Sequence, residues 1–296
     1  MTLQKARSIA KKYEDIYIIE AGLLKEQGAE ISCRQLEQLA SDYEKYTPKR
    51  QADMFEALAL GETRGINQLE IGAGYDKLSN NRGVWRSASI SNRYVACSGN
   101  SLRAGYQKVS RYERDDAEVS VGAELNMKDI WLDIEYRESD DPDILAQNTL
   151  SGLLGFKTGL SADVFLLGSR KKFNGIETNS AGLGVDYYIS NYQIMVIGEE
   201  TNYLLNGVSL DSSNVQRIYL GYYFDRKTYI RFGYISGKEL DNDGSENPPY
   251  GKVKTVLFNT FIPITTQAGI LVEAKKHYQN GYFEQNGIRL ALRYTY

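Results

Sequence analysis

The sequence predicts an all-β transmembrane antiparallel barrel of about fourteen strands, preceded by a short α-helical segment. Three observations carry this. The last nine residues, 288–296, alternate apolar and polar and end on an aromatic. Successive strand side chains point to opposite faces, so Ile288, Leu290, Leu292, Tyr294 and Tyr296 share one face and Arg289 and Arg293 share the other. Two inward arginines suit a water-filled lumen better than a sealed core. The same period of two recurs along most of the chain, and the polar connections between the repeats alternate between short and long.

Taken in order, residues 1–62 read as helical. Ala6, Ile9 and Ala10, then Tyr17, Ala21 and Leu24, then Leu36, Leu39, Ala40 and Tyr43 recur at helical spacing. Gly28 interrupts the run, Ser32 suits an N-cap and Pro48 follows the third helix. Paired helices of this length fit either a tetratricopeptide-like fragment or a plain helical cap. Gly61 to Gly65 reads as the junction, and residues 63–296 as the barrel. Its strands begin at 69–75, where Leu69, Ile71, Ala73 and Tyr75 oppose Glu70, Gly72 and Gly74. The stretch near Trp85–Arg93 matches the pattern least. Residues 117–125 place Val119, Val121 and Leu125 against Glu118 and Glu124, and 130–137 place Ile130, Leu132, Ile134 and Tyr136 against Asp133, Glu135 and Arg137. At 217–224, 228–234 and 270–278 the pattern repeats, with Arg217, Arg231, Glu273, Lys275 and His277 on the inward side.

Short connections are expected at 98–100, 127–129, 158–159, 190–191, 226–227 and 265–267. Longer ones are expected near 78–83, 111–116, 139–147, 171–178, 202–214, 237–251 and 279–285. Barrels of bacterial outer membranes have short periplasmic turns and longer outer loops, so the alternation predicts an even strand number with both barrel ends on the periplasmic side. Charged stretches such as Glu138 to Asp143 and Glu239 to Glu246 read as solvated loops.

Composition agrees. The chain has 296 residues, 42% of them apolar, a net charge of −3 and 23 Tyr against 9 Phe and 2 Trp. Tyrosine joins an apolar ring to a wet hydroxyl and suits a membrane–water boundary. The mean hydropathy of −0.44 is compatible with strands that are half polar. The charge suggests no nucleic-acid partner, and no apolar run is long enough for a membrane helix. Met1 to Lys12 is polar and basic and Ile16–Ile19 is short, so the expectation is that a secretory leader is missing from this chain. Cys33 and Cys97 read either as free thiols or as a periplasmic disulfide.

Inward positions are the candidate site. Arg137, Arg217, Arg231, Lys275, Arg289 and Arg293 face acids such as Glu273 and either pair across strands or line a pore. Tyr219, Tyr223 and Tyr229 could stack on sugar rings, and inward glycines such as Gly72, Gly155 and Gly233 relieve curvature or are merely tolerated. The single histidine, His277, reads as lumen-lining; an enzyme would require Ser236 or Ser180 beside it. The pattern contains no catalytic, cofactor or metal-binding constellation.

Together the helical lead-in, the stretch Glu70-Ile71-Gly72-Ala73-Gly74-Tyr75-Asp76, the following Trp85-Arg86-Ser87-Ala88-Ser89 and the aromatic final strand resemble the YaiO-type family of outer-membrane β-barrels. One departure is Ala291, where terminal barrel signals usually carry Gly. The family is similar in layout to exopolysaccharide export porins. The resemblance implies an outer-membrane pore or export channel linked to envelope polysaccharide, with its N-terminal segment in the periplasm and no enzymatic activity. Implied partners are outer-membrane lipid and lipopolysaccharide, the barrel-assembly machinery, and a polysaccharide or a periplasmic or inner-membrane synthase. The competing expectations are a non-conducting docking barrel whose helices bind a partner and, last, a lipid-active enzyme.

Overall fold

In the computed structural model the described residues are Leu39, 66–79, 83–96, 100–111, 113–127, 129–140, 142–158, 161–224, 228–240, 250–265, 267–279 and 283–296. The predicted helices and both cysteines lie outside them, Leu39 apart. The chain falls into two units, and the larger one (68–93, 102–124 and 129–296) holds the barrel wall and the lumen residues.

Fourteen antiparallel strands close into a barrel: β1 Ile66–Leu78, β2 Val84–Val95, β3 Ser101–Arg111, β4 Arg114–Asn126, β5 Ile130–Ser139, β6 Asn148–Lys157, β7 Ala162–Lys172, β8 Ile176–Ile189, β9 Tyr192–Leu205, β10 Val208–Tyr223, β11 Tyr229–Leu240, β12 Tyr250–Pro263, β13 Ala268–Gln279 and β14 Phe283–Thr295. β1 pairs with β14, with Glu70 opposite Arg293 and Gly74 opposite Arg289. Strands of 10–16 residues meet the roughly 9–11 that a bilayer crossing needs.

The alternation of side chains between the two faces behaves as predicted, whereas the connection lengths do not alternate regularly. Ile71, Val119, Val121, Leu220, Phe232, Leu290 and Leu292 are each about half exposed on the outer face. Exposed apolar side chains on this scale form a continuous belt, which only a lipid phase would cover at no cost. Tyr75, Tyr106, Tyr136, Tyr234 and Tyr278 edge the belt toward the end that carries the 140–147 connection, here called distal. Tyr94, Tyr187, Tyr192, Phe224, Tyr294 and Tyr296 edge it at the proximal end, where β1 begins and β14 stops. Among the described strand residues, outward charges such as Lys77, Lys108, Glu138, Arg170, Lys252 and Lys276 sit at the distal end.

β2, the weakest match in sequence, is a full strand. Its inward Ser87, Ser89 and Ser91 and outward Arg86, Ala88 and Asn92 blur the contrast that sequence patterning relies on. The predicted loop 202–214 is also strand. β9 and β10 pair through it, with one irregularity between Ser209 and Ser212, and turn at Asn206-Gly207. Both turn residues have positive φ, 50° and 81°, as a type I′ hairpin requires. The connections expected at 111–116, 171–178 and 279–285 are shortened in the same way. Beyond the apolar belt both faces of a strand are polar, so the period disappears while the hydrogen-bond ladder continues.

Candidate functional site: the barrel lumen

The eleven predicted lumen residues occupy inward strand positions, and the ladders bring many of them together. At the closing seam Glu70 is a hub. It accepts hydrogen bonds from Arg289 at 2.9 Å and from Arg293 at 2.9 and 3.2 Å, and Arg289 also donates to Glu273 at 2.8 Å. Gly72 lies beneath Arg289, and a Cβ there would lie 3.1 Å from the guanidinium and crowd it. Lys275 pairs with Asp76 at 3.1 Å. Across β3 to β5, Arg103 donates to Asp133 at 2.6 and 2.8 Å and to Glu135 at 2.8 Å. Arg137 pairs with Glu135 and with Glu118, and Arg217 with Glu199. Arg103 and Glu199 were not singled out in the sequence; the β3 stretch shows no long apolar alternation to expose its inward face.

The inward tyrosines make contacts with protein. Tyr223 and Tyr229 pack together at 5.8 Å. Tyr223 and Arg231 both donate to Gln193 Oε1, at 3.0 and 2.8 Å, and the Arg231 guanidinium lies 5.5 Å over the Tyr229 ring. Tyr219 lies across Gly233, directly opposite on β11, where a Cβ would come within 2.7 Å of the ring. Trp131 covers Gly155 and Phe165 covers Gly184 in the same manner, at 2.0 and 2.2 Å. These glycines are therefore seats for rings; at Gly155 and Gly233 the small residue leaves room inside the barrel.

His277 bonds the Thr255 hydroxyl through Nδ1 at 2.8 Å and packs on Phe283 at 5.8 Å. Ser236 sits opposite Lys254 in the β11–β12 ladder and faces outward, and Ser180 shares a hydrogen bond with Thr201. Neither provides the nucleophile that a His277 base would require.

In the stretch Glu138 to Asp143, expected as a solvated loop, the described charged residues Glu138, Asp140 and Asp143 are exposed, and the residues that follow, 144–146, line the lumen at the distal end. Asp116, itself buried, accepts the backbone N–H groups of Asp143, Ile144 and Leu145 at 3.1, 2.6 and 2.7 Å. Ile144 and Ala146 are buried beneath it. An inward carboxylate that meets three backbone donors fixes this segment on its apolar side while its charged side chains keep to water. At the distal rim, beyond the apolar belt, Arg170 and then Asn179 hold the Glu177 carboxyl below the usual carboxylate range, so that pair persists as pH falls to the ordinary carboxylate pKa.

Four cavities follow the lumen wall. One of about 290 Å³ at the proximal end touches Thr265, Gln267 and Thr295. It shares Gln68 and Arg293 with one of about 410 Å³ along β1 to β5. That one shares Gln107, Glu118 and Arg137 with one of about 650 Å³ that reaches Ile144, Ala146 and Tyr203 at the distal end. Arg137 also borders a fourth of about 490 Å³ between β5 and β10.

No protein-family model matches the chain, and no curated protein matches it. Solved outer-membrane proteins share its fold at low identity. Omp33 of Acinetobacter baumannii is 13% identical, over 78% of this chain and 99% of that one, with a TM-score of 0.49. A bacterial polysaccharide outer membrane secretin is 10% identical, over 78% and 98%, with a TM-score of 0.48. OmpT of Vibrio cholerae is 10% identical, over 79% and 100%, with a TM-score of 0.46.

Proposed function

We propose that this barrel is an outer-membrane pore for polar solutes, its distal end facing outward and its proximal end the periplasm. One observation carries the reading. Adjoining cavities run from Thr295 at the proximal end through Arg293 and Arg137 to Ile144 at the distal end, walled by ion pairs and by the hydroxyls of Ser87, Ser89, Ser91 and Ser120. Fixed charges and hydroxyls along such a path select solutes by charge and hydrogen bonding. A role in envelope polysaccharide export is the finer form of the proposal; it draws on the YaiO-type resemblance and on that hydroxyl wall.

The test is planar-bilayer conductance of the refolded protein, with Arg217→Glu, Arg231→Glu, Arg289→Glu and Arg293→Glu as variants. Each should move the reversal potential in a salt gradient toward cation preference. A variant that leaves it unchanged removes that residue from the pathway, and folded protein that passes no current defeats the pore reading.

The inward loop favours a second reading, a barrel closed at its distal end that serves to dock a partner. Asp116→Ala separates the two. Loss of three hydrogen bonds to a carboxylate, each a net contribution of about 1.5–3 kcal/mol and not strictly additive, should release the segment at residues 143–145. In a pore that already conducts, the single-channel step should rise severalfold at most. In a closed barrel, current should appear only in the variant.

A further inference from the structure

The lumen is not lined evenly. Around the seam, from β13 through β1 to β5, inward positions are largely charged, polar or glycine. From β6 to β9 they turn apolar at mid-height, with Leu153, Phe165, Leu167, Met195 and Ile197. Barrel interiors that carry water are ordinarily polar, and apolar side chains turned to water gain nothing by it. These five residues, together with Trp131, wall the 490 Å³ cavity. Trp131 and Phe165 stand in it as a tilted pair, 6.2 Å apart, each seated on a glycine.

The charges around this cavity do not balance. Its carboxylates are Asp133, Glu135, Asp163, Asp186 and Glu199; its cations are Arg103, Arg137 and Arg217. Arg103 satisfies Asp133 and Glu135, and Arg217 pairs with Glu199. Asp186 is 8% exposed and, among the described residues, accepts from Gln193 Nε2 at 2.8 and 2.9 Å and from the Tyr188 hydroxyl at 2.8 Å, with Arg231 one residue further on at Gln193 Oε1. Among the described residues neither Asp186 nor Asp163 belongs to an ion pair. Lys157, opposite Asp163 in the β6–β7 ladder, does not border the cavity.

We propose that this cavity is a binding site for a small organic cation with an aromatic or alkyl face. The apolar wall takes the hydrocarbon, the Trp131 and Phe165 rings take the cation on their faces, and Asp163 and Asp186, which border the cavity while Lys157 and Arg231 do not, supply the short-range attraction. An anion would meet the excess carboxylates. A bare inorganic cation would leave the apolar wall wet. The inference rests on the pore reading only in that solutes must reach the lumen from one end.

Benzyltrimethylammonium is the probe, with tetramethylammonium lacking the apolar face and benzoate reversing the charge. Trp85→Phe leaves Trp131 as the sole tryptophan of the chain's two, so its emission in detergent micelles reports on the cavity without any need for current. Benzyltrimethylammonium should change the emission saturably. The two controls should bind about tenfold more weakly or less, the equivalent of ~1.4 kcal/mol. Asp186→Asn and Leu167→Ser should each weaken the probe severalfold. Equal binding of benzoate, or no saturable response, overturns the proposal. If Trp85→Phe does not fold, the same three-probe order in the unsubstituted protein decides it. Saturable binding without conductance defeats the pore and leaves the site standing; conductance without binding does the reverse.

Discussion

In the proposed pore Glu70→Gln should shift selectivity strongly toward anions, and it should loosen the barrel seam. Glu70 accepts from both Arg289 and Arg293 where β1 meets β14. Neutralising it leaves Arg289 with Glu273. Arg293 then has no carboxylate partner among the described residues and lies 5.1 Å over the Phe261 ring. The freed guanidinium borders both the proximal and the central cavity. A cation at such a point attracts anions across a lumen whose dielectric is below that of bulk water. The reversal potential in a salt gradient should move toward the anion value. Urea unfolding in micelles should show a loss of about 1–3 kcal/mol, the range for a hydrogen-bonded charge deprived of its partner. The groups are about one-fifth to one-third exposed, which puts the effect below that of a fully buried pair. Glu70→Gln with Arg293→Gln should recover most of the original selectivity. If the single variant leaves the reversal potential where it was, the seam charges are remote from the conducting path.

Gly155→Val should prevent efficient folding. Gly155 is directly opposite Trp131, and even a Cβ would lie 2.0 Å from the indole. A valine cannot avoid the ring by a change of rotamer, because its first atom is already in conflict. The indole must leave its seat, and overpacking of this kind typically costs about 1–3 kcal/mol. Folded barrels resist unfolding in cold detergent and migrate faster than their boiled forms, so the fraction of fast-migrating protein measures the loss. Trp131→Ala in the same chain should restore it. Gly198→Ala is the control: nothing lies within 4 Å of the added Cβ, and it should fold as the parent does. Equal folding of Gly155→Val and Gly198→Ala would show that the ring has no need of its seat.

Both predictions depend on pairs that the sequence does not announce, and this marks where sequence reading ends. Within the apolar belt one face of each strand meets a nonpolar phase and the other meets water, so hydrophobicity repeats every two residues and the faces are legible. Ile71 against Glu70, Leu220 against Arg217 and Leu290 against Arg289 were assigned from that period alone. Beyond the belt both faces are wet and the signal vanishes. The 202–214 stretch therefore looked like a loop, although Asn206-Gly207, like Asn174-Gly175, is a short hairpin signal. Which acid meets which base was closed to sequence for another reason. Partners such as Glu70 and Arg293 are 223 residues apart, and their meeting is set by the register and the closure of the sheet. The same holds for Trp131 on Gly155, for the Asp116 carboxylate under the 140–147 loop, and for the gathering of Leu153, Phe165, Leu167, Met195 and Ile197 on one wall. Periodicity assigns each side chain to a face, because that is a local property of a strand. Only the closed barrel decides its neighbours on that face, because ladder register is a long-range one.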